Sequence, residues 1–141
     1  MKKTMADYLE NTTQKFANKI AFADDKNQAT YAELTQHAQA IGTALIKQTQ
    51  KINKPIAIYL DKTVSCVESM LGVVYSGNFY TILDTKSPVE RIELILNTLE
   101  PEVIITSKKN EEKAKKLLND KIELIIYEDI VNTEIDKQLI N

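Results

Sequence analysis

The chain of 141 residues is long enough for one hydrophobic core and short for two, and its 43% hydrophobic and 27% charged residues make an ordinary globular balance. Eighteen basic against twenty acidic residues leave a net charge of −2, which excludes the broad positive field that nucleic acid or an anionic membrane surface would need. One cysteine, Cys66, and one histidine, His37, exclude an internal disulfide, a zinc cluster and a multi-histidine metal site.

At the start, Asp7 and Glu10 interrupt the chain before any apolar run could form a signal peptide. No later stretch reaches the roughly 18 consecutive apolar residues of a membrane span, so a soluble, cytoplasmic protein with no membrane or nucleic-acid partner is expected. Thr4 is placed to cap a first helix reaching Asn18, with Met5, Tyr8, Leu9 and Phe16 as its apolar face. Ile20 to Asp24 and Gln28 to Tyr31, either side of the polar Asp25-Lys26-Asn27, predict a short antiparallel hairpin. Thr30 and Glu33 have capping-box spacing, and Leu34, Ala38, Ile41 and Leu45 then mark one stripe of a helix running to Gln48.

From Pro55 onward, apolar runs alternate with helical stretches. Ile56 to Leu60 precedes a helix from Thr63 to Ser76 with Val64, Val67, Leu71 and Val74 on its buried face and Gly77 at its end. Phe79 to Leu83 precedes a second helix, read as opened by a capping box at Ser87 and Glu90 with Pro88 in the first turn, faced by Ile92, Ile95, Leu96 and Leu99, and stopped by Pro101. Val103 to Thr106 and Ile122 to Tyr127 flank a Lys- and Glu-rich helix carrying Ala114, Leu117 and Leu118, and Glu128 to Asn141 could add a weak last helix. Continuous apolar strands joined by helical crossovers predict an α/β layered, mostly parallel sheet plus the short amino-terminal antiparallel hairpin, with residues 1–141 as a single domain.

Thr30-Tyr31-Ala32-Glu33-Leu34 resembles the entry into an early helix of the adenylate-forming, or AMP-binding, superfamily. The longer stretch Leu71 to Asp84, followed by Thr85-Lys86-Ser87-Pro88 and Val89-Glu90-Arg91-Ile92, resembles that superfamily's run of helix, glycine, tyrosine-bearing strand, Leu-Asp and Pro-x-x-Arg-Ile. The likeness is particularly to amino-acid adenylation domains of nonribosomal peptide synthetases and to D-alanine:carrier-protein ligases. Ile82 stands where many relatives have proline, Ser87 where many have tyrosine, and Thr85, where many have proline, is nearer the D-alanine ligase branch. The resemblance implies the amino-terminal portion of an amino-acid-activating ligase. Its parent enzyme would use ATP and Mg2+, and its partners would be the remainder of that enzyme and a carrier protein.

Adenylation must stabilise charge on crowded phosphate oxygens, commonly with backbone N–H groups of a glycine-rich loop. Gly42, Gly72 and Gly77 are scattered, and no such cluster occurs. The resemblance places the family's phosphate loop, adenine-binding motifs and catalytic lysine further along than this sequence, so the truncated chain alone is expected to be inactive, with no catalytic, cofactor-binding or metal-binding residues. Asp84 reads as a turn or cap residue, Arg91 as a partner for Glu90 or Glu93, Tyr80 as a packing residue with a bonded hydroxyl, and His37 as a hydrogen-bonding residue at the border of an apolar stripe. Lys108, Lys109, Lys113, Lys115 and Lys116 among Glu111 and Glu112 read as a solvated helix face. Apolar surface left uncovered would favour self-association.

Two other readings are weighed. One is a stand-alone α/β interaction module. The other is a receiver-like phosphoacceptor domain with Asp24 and Asp25 on magnesium, Asp61 accepting phosphate and Lys108 contacting it. The second strand immediately after Asp24-Asp25, where a receiver has a helix, tells against it.

Overall fold

The computed structural model describes residues 5–50 and 52–140; the expected cap at Thr4 lies outside them. The first helix, α1 (Met5–Phe16), buries Ala6 and Leu9 and leaves Met5, Tyr8 and Phe16 exposed, which corrects the expected apolar face. The face that docks is Ala6, Leu9, Glu10 and Thr13, at the i, i+3, i+4, i+7 spacing of one helical stripe. Half of it is polar. The Thr13 hydroxyl donates to the Leu9 carbonyl and lies 2.7 Å from the Thr35 hydroxyl, while the Glu10 carboxylate accepts from Gln39 Nε2 and from the Tyr75 hydroxyl, each at 3.0 Å. A search for apolar periodicity reads past such a stripe.

The hairpin β1 (Ile20–Ala23) and β2 (Gln28–Thr30) pairs antiparallel and leads into α2 (Tyr31–Thr49). The capping box forms as the spacing required: Glu33 N–H donates to the Thr30 hydroxyl at 3.2 Å, and Thr30 N–H donates to the Glu33 carboxylate at 3.0 Å. Four parallel strands follow, β3 (Pro55–Tyr59), β4 (Phe79–Ile82), β5 (Val103–Thr106) and β6 (Glu123–Ile126), in the order β4-β3-β5-β6.

The chain travels one way from β3 to β4 and the other way from β4 through β5 to β6. Crossovers of constant hand must then lie on opposite faces, and they do. Between β3 and β4, α3 (Val64–Tyr75) packs with α2 on Ile56, Ile58, Val103, Ile105 and Ile125. The connections α4 (Val89–Leu99) and α5 (Glu111–Lys115) lie on the other face, where Ile92, Leu96, Ala114 and Leu117 meet Ala57, Tyr59 and Ile104. The result is a three-layer α/β fold whose central strands β3 and β5 are covered on both faces, which is why they read as unbroken apolar runs, while the edge strands β4 and β6 are only partly covered.

Of the expected stripe of helix α3, Val64 and Leu71 are buried while Val67 and Val74 are half-buried; because the helix lies between the sheet, α2 and α1, Cys66, Glu68, Ser69, Gly72, Val73 and Tyr75 are buried as well. Its approach to α2 depends on two glycines. A Cβ at Gly72 would lie 2.4 Å from Ile41 Cγ2, and one at Gly42 would lie 2.6 Å from Tyr75 Cβ. Gly77, at φ +81°, follows the Ser76 cap and turns the chain into β4. The second capping box does not form: Pro88 is the N-cap of α4 and no side chain caps that end. Ile95 is 37% exposed while Ile92 and Leu96 carry the buried face. The tail forms two short turns of helix, α6 (Tyr127–Ile130) and α7 (Lys137–Ile140), and the Asp136 N–H donates to the buried Thr43 hydroxyl at 3.2 Å.

Candidate functional site

In an open parallel sheet, ligands bind outside the carboxyl ends of the strands where the strand order reverses. Here that point lies between β3 and β5. Asp61 stands two residues beyond β3, Thr85 comes from the turn after β4, and Lys109, Asn110 and Lys113 come from the turn after β5 and from α5.

These groups bond one another. The Thr85 hydroxyl donates to Asp61 Oδ1 at 2.6 Å, Lys109 Nζ donates to Oδ2 at 2.9 Å, and Lys113 Nζ donates to the Thr85 carbonyl at 3.1 Å. Lys109 foremost, with help from the Thr85 hydroxyl, holds the Asp61 carboxyl below the usual carboxylate range. Beneath them the buried Thr106 hydroxyl donates to the Tyr59 carbonyl at 2.7 Å. Burial, with Asp61 and Asp84 nearby, pushes the Tyr59 phenol upward. A proline at position 85 would lack the hydroxyl that reaches Asp61. Sequence reading missed this pairing because Asp61, Thr85 and Lys109 lie on three different turns.

The other singled-out residues are dispersed. Asp84 is a turn residue: its Oδ1 accepts from Lys86 N–H at 2.9 Å and its carbonyl accepts from Ser87 N–H at 3.0 Å. Arg91 is exposed, and the ion pairs among the described residues do not join it to Glu90 or Glu93. Tyr80 is half-buried against the sheet core, and the hydrogen bonds seen among the described residues do not include its hydroxyl. In the lysine-rich stretch, Lys115 pairs with Glu111 at 3.3 Å and Glu112 at 3.5 Å on a solvated surface.

The receiver arrangement is not assembled. Asp24 Oδ1 accepts from Lys26 and Asn27 N–H, and Oδ2 accepts from Val64 N–H at 2.8 Å, so the carboxylate caps α3 from the hairpin. The Val64 bond is the main reason its carboxyl is held below the ordinary range. Lys109 rather than Lys108 reaches Asp61. Among the described residues, no group of three or more His, Cys, Asp or Glu is arranged to hold a metal ion.

A second polar cluster lies under α2 and α3. Glu68 is 2% exposed, with His37 Nδ1 donating to one carboxylate oxygen and the Tyr127 hydroxyl to the other. His37 is the hydrogen-bonding border residue that its neighbours implied. Glu68 went unseen because a glutamate within a helix reads as exposed; its spacing from Val64 and Leu71 is the signal that could have found it. Burial and the Glu68 bond push the Tyr127 phenol upward, and burial pushes the Cys66 thiol upward, away from the thiolate.

At the carboxyl-end crevice, side chains from three turns meet one another. Its centre is filled by the Asp61, Thr85 and Lys109 contacts, and the turns after β3, β4 and β5 contain no glycine. At the amino end of α3, where a phosphate could meet free amides, Asp24 already holds the Val64 N–H. An open cleft of about 870 Å³ lies at the other end of the sheet, with Gln48, Asn97, Glu100, Asn119, Asp120 and Glu123 among its lining residues.

Doubly wound order, a capped entry helix and a tyrosine-bearing edge strand leading to the Asp84 turn make an α/β unit with the features that resemble adenylation domains. Residues 9–139 match the AMP-binding enzyme family, and the chain belongs to that family. It is 29% identical over 127 residues, 90% of its length, to a plipastatin synthase subunit of Bacillus subtilis (strain 168), and 26% identical over 125 residues, 88% of its length, to the hybrid PKS-NRPS synthetase LUC5 of Fusarium sp. It spans 5% and 3% of those proteins' lengths. Its fold matches the nonribosomal peptide synthetase FmoA3 in an α-methyl-L-serine-AMP-bound form with a TM-score of 0.85 at 16% identity, over 96% of this chain and 15% of that one.

Proposed function

We propose that residues 1–141 are one structural unit of an amino-acid-activating, AMP-forming ligase, the amino-terminal portion of an adenylation domain that delivers its product to a carrier protein. The unit supplies strands and helices that buttress a nucleotide pocket built elsewhere. The observation that carries the reading is the family match across residues 9–139, together with a hybrid PKS-NRPS synthetase among the relatives.

ATP and Mg2+ belong to the family's chemistry, in which a carboxylate oxygen bonds to the α-phosphorus and pyrophosphate leaves. No step of it is assigned to this chain, because the crevice residues satisfy one another and offer no cluster of free amides to phosphate. Thr85 favours a substrate class near that of the D-alanine ligases. A cytoplasmic setting fits the buried Cys66 thiol. No helix of the described residues is long and apolar enough to cross a membrane.

The purified chain is expected to show no amino-acid-dependent ATP–pyrophosphate exchange across the proteinogenic amino acids and D-alanine. Exchange above the no-enzyme background, abolished by mutating residues of the crevice, would overturn the scaffold reading. A stand-alone interaction module is the second reading, favoured by the uncharged, half-exposed edge strand β4.

A further inference from the structure

A strand at a sheet edge offers unpaired peptide groups, and proteins blunt such edges with lysine, proline, bulges or a covering element. Among the described residues, β4 is hydrogen-bonded to β3 on one side and has no strand on the other. Phe79 and Leu83 donate their N–H groups toward β3, to the Lys54 and Ile58 carbonyls. By the alternation of a parallel strand, the N–H and C=O of Tyr80 and Ile82 face outward. Phe79-Tyr80-Thr81-Ile82 contains no charge, proline or glycine. Phe79 is 50% exposed, Ile82 46%, and the adjoining Ile52 66%. The opposite edge differs, since β6 opens on the exposed Glu123 just after Lys121.

We propose that this edge is a self-association surface at which β4 pairs antiparallel with β4 of a second copy, about a two-fold axis through Thr81. The outward groups fit such a partner. With Thr81 on the axis, Tyr80 lies opposite Ile82 of the second copy and the reverse, so each pair exchanges both N–H···O bonds. Directly opposed residues share a face, which sets Tyr80 beside Ile82 and continues each sheet into the next. The ends match in charge as well. Lys54, exposed beside Asn78 at the amino end, approaches the exposed Asp84 at the carboxyl end of the partner strand, while Thr81 meets only Thr81. A second copy is favoured over a basic or acidic peptide because the strand itself carries no charge for either to recognise. Four residues of edge fall well short of the roughly 1,200 Å² of a stable interface, so the dimer is weak and forms at high micromolar to millimolar concentration. The pairing stands apart from the adenylation reading and can fail without it.

Sedimentation velocity and amide hydrogen exchange on the whole chain test it together. Raising the concentration from micromolar to millimolar should produce a dimer, with slowed exchange at the Tyr80 and Ile82 amides and unchanged exchange at Thr81 and Leu83, already bonded to β3. Ile82→Lys and, independently, Phe79→Lys should weaken the dimer by about tenfold or more, with unchanged circular dichroism confirming the fold. A monomer throughout that range overturns the proposal. So does a dimer whose Tyr80 and Ile82 amides stay unprotected, or one that both lysine variants leave intact.

Discussion

The clusters at Glu68 and Asp61 each contain an acidic side chain held by side-chain donors, and they differ in what surrounds them. Glu68 is buried between α2, α3 and α6, held by His37 and Tyr127 in a shell of apolar side chains. Asp61, at the carboxyl ends of the strands, is held by Thr85 and by Lys109, whose side chain is 76% exposed. A buried acid whose partner is removed is left desolvated and unpaired, whereas an exposed one recovers water. The first cluster therefore fixes the helix layer, and the second plugs a crevice at modest energetic cost.

The helix layer should be the harder of the two to alter. Gly72→Ala drives a methyl group into Ile41 and forces α2 away from α3, so a loss of about 1–3 kcal/mol or more is expected, read as a lowered midpoint in urea unfolding. A variant of wild-type stability would mean that the helices separate freely. Next, Glu68→Gln trades one accepting oxygen for a donor group facing another donor and should cost about 1–3 kcal/mol, measured the same way.

Acid should act mainly on carboxylates that keep some contact with solvent. Asp24, Glu33 and Asp61 all titrate below their ordinary values when folded, so the stability they contribute is present above the unfolded carboxylate range near about 4 and is lost as pH falls through their folded values. The melting temperature should be level from about pH 7 to 5 and drop below about 4, and Asp24→Asn should flatten that drop. A midpoint that falls already between neutral pH and about 5 would point to another group. Smallest of all, Lys109→Ala should change stability by about 1 kcal/mol or less, because its ion pair is screened by solvent; a larger loss would place Asp61 among the buried acids.

Strand runs, the Thr30 cap, the Gly77 turn and the end of α4 before Pro101 were legible because each depends on neighbours within a few residues. What escaped was non-local. The docking stripe of α1 is half polar, and its partners Thr35, Gln39 and Tyr75 are supplied by other helices. Asp24 is paired with Asp25 only in the receiver-like alternative, and the role it has, capping a helix that begins at Val64, has no sequence signal. Pro88 serves as the cap that Ser87 was expected to be, and the absence of a side-chain cap there has no local signature. Family membership was legible from the run ending at Asp84, although that aspartate itself turns the chain and does not meet Asp61.

The proposal tested first is that this unit of the AMP-binding enzyme family carries no nucleotide site among its own residues. Titrating Mg-ATP into isotope-labelled protein and following the backbone amides of Asp61, Thr85, Lys109 and Val64 by NMR tests it directly. The account predicts no saturable shift up to millimolar nucleotide. Saturable shifts confined to those amides, lost when Lys109 is replaced by alanine, would contradict it.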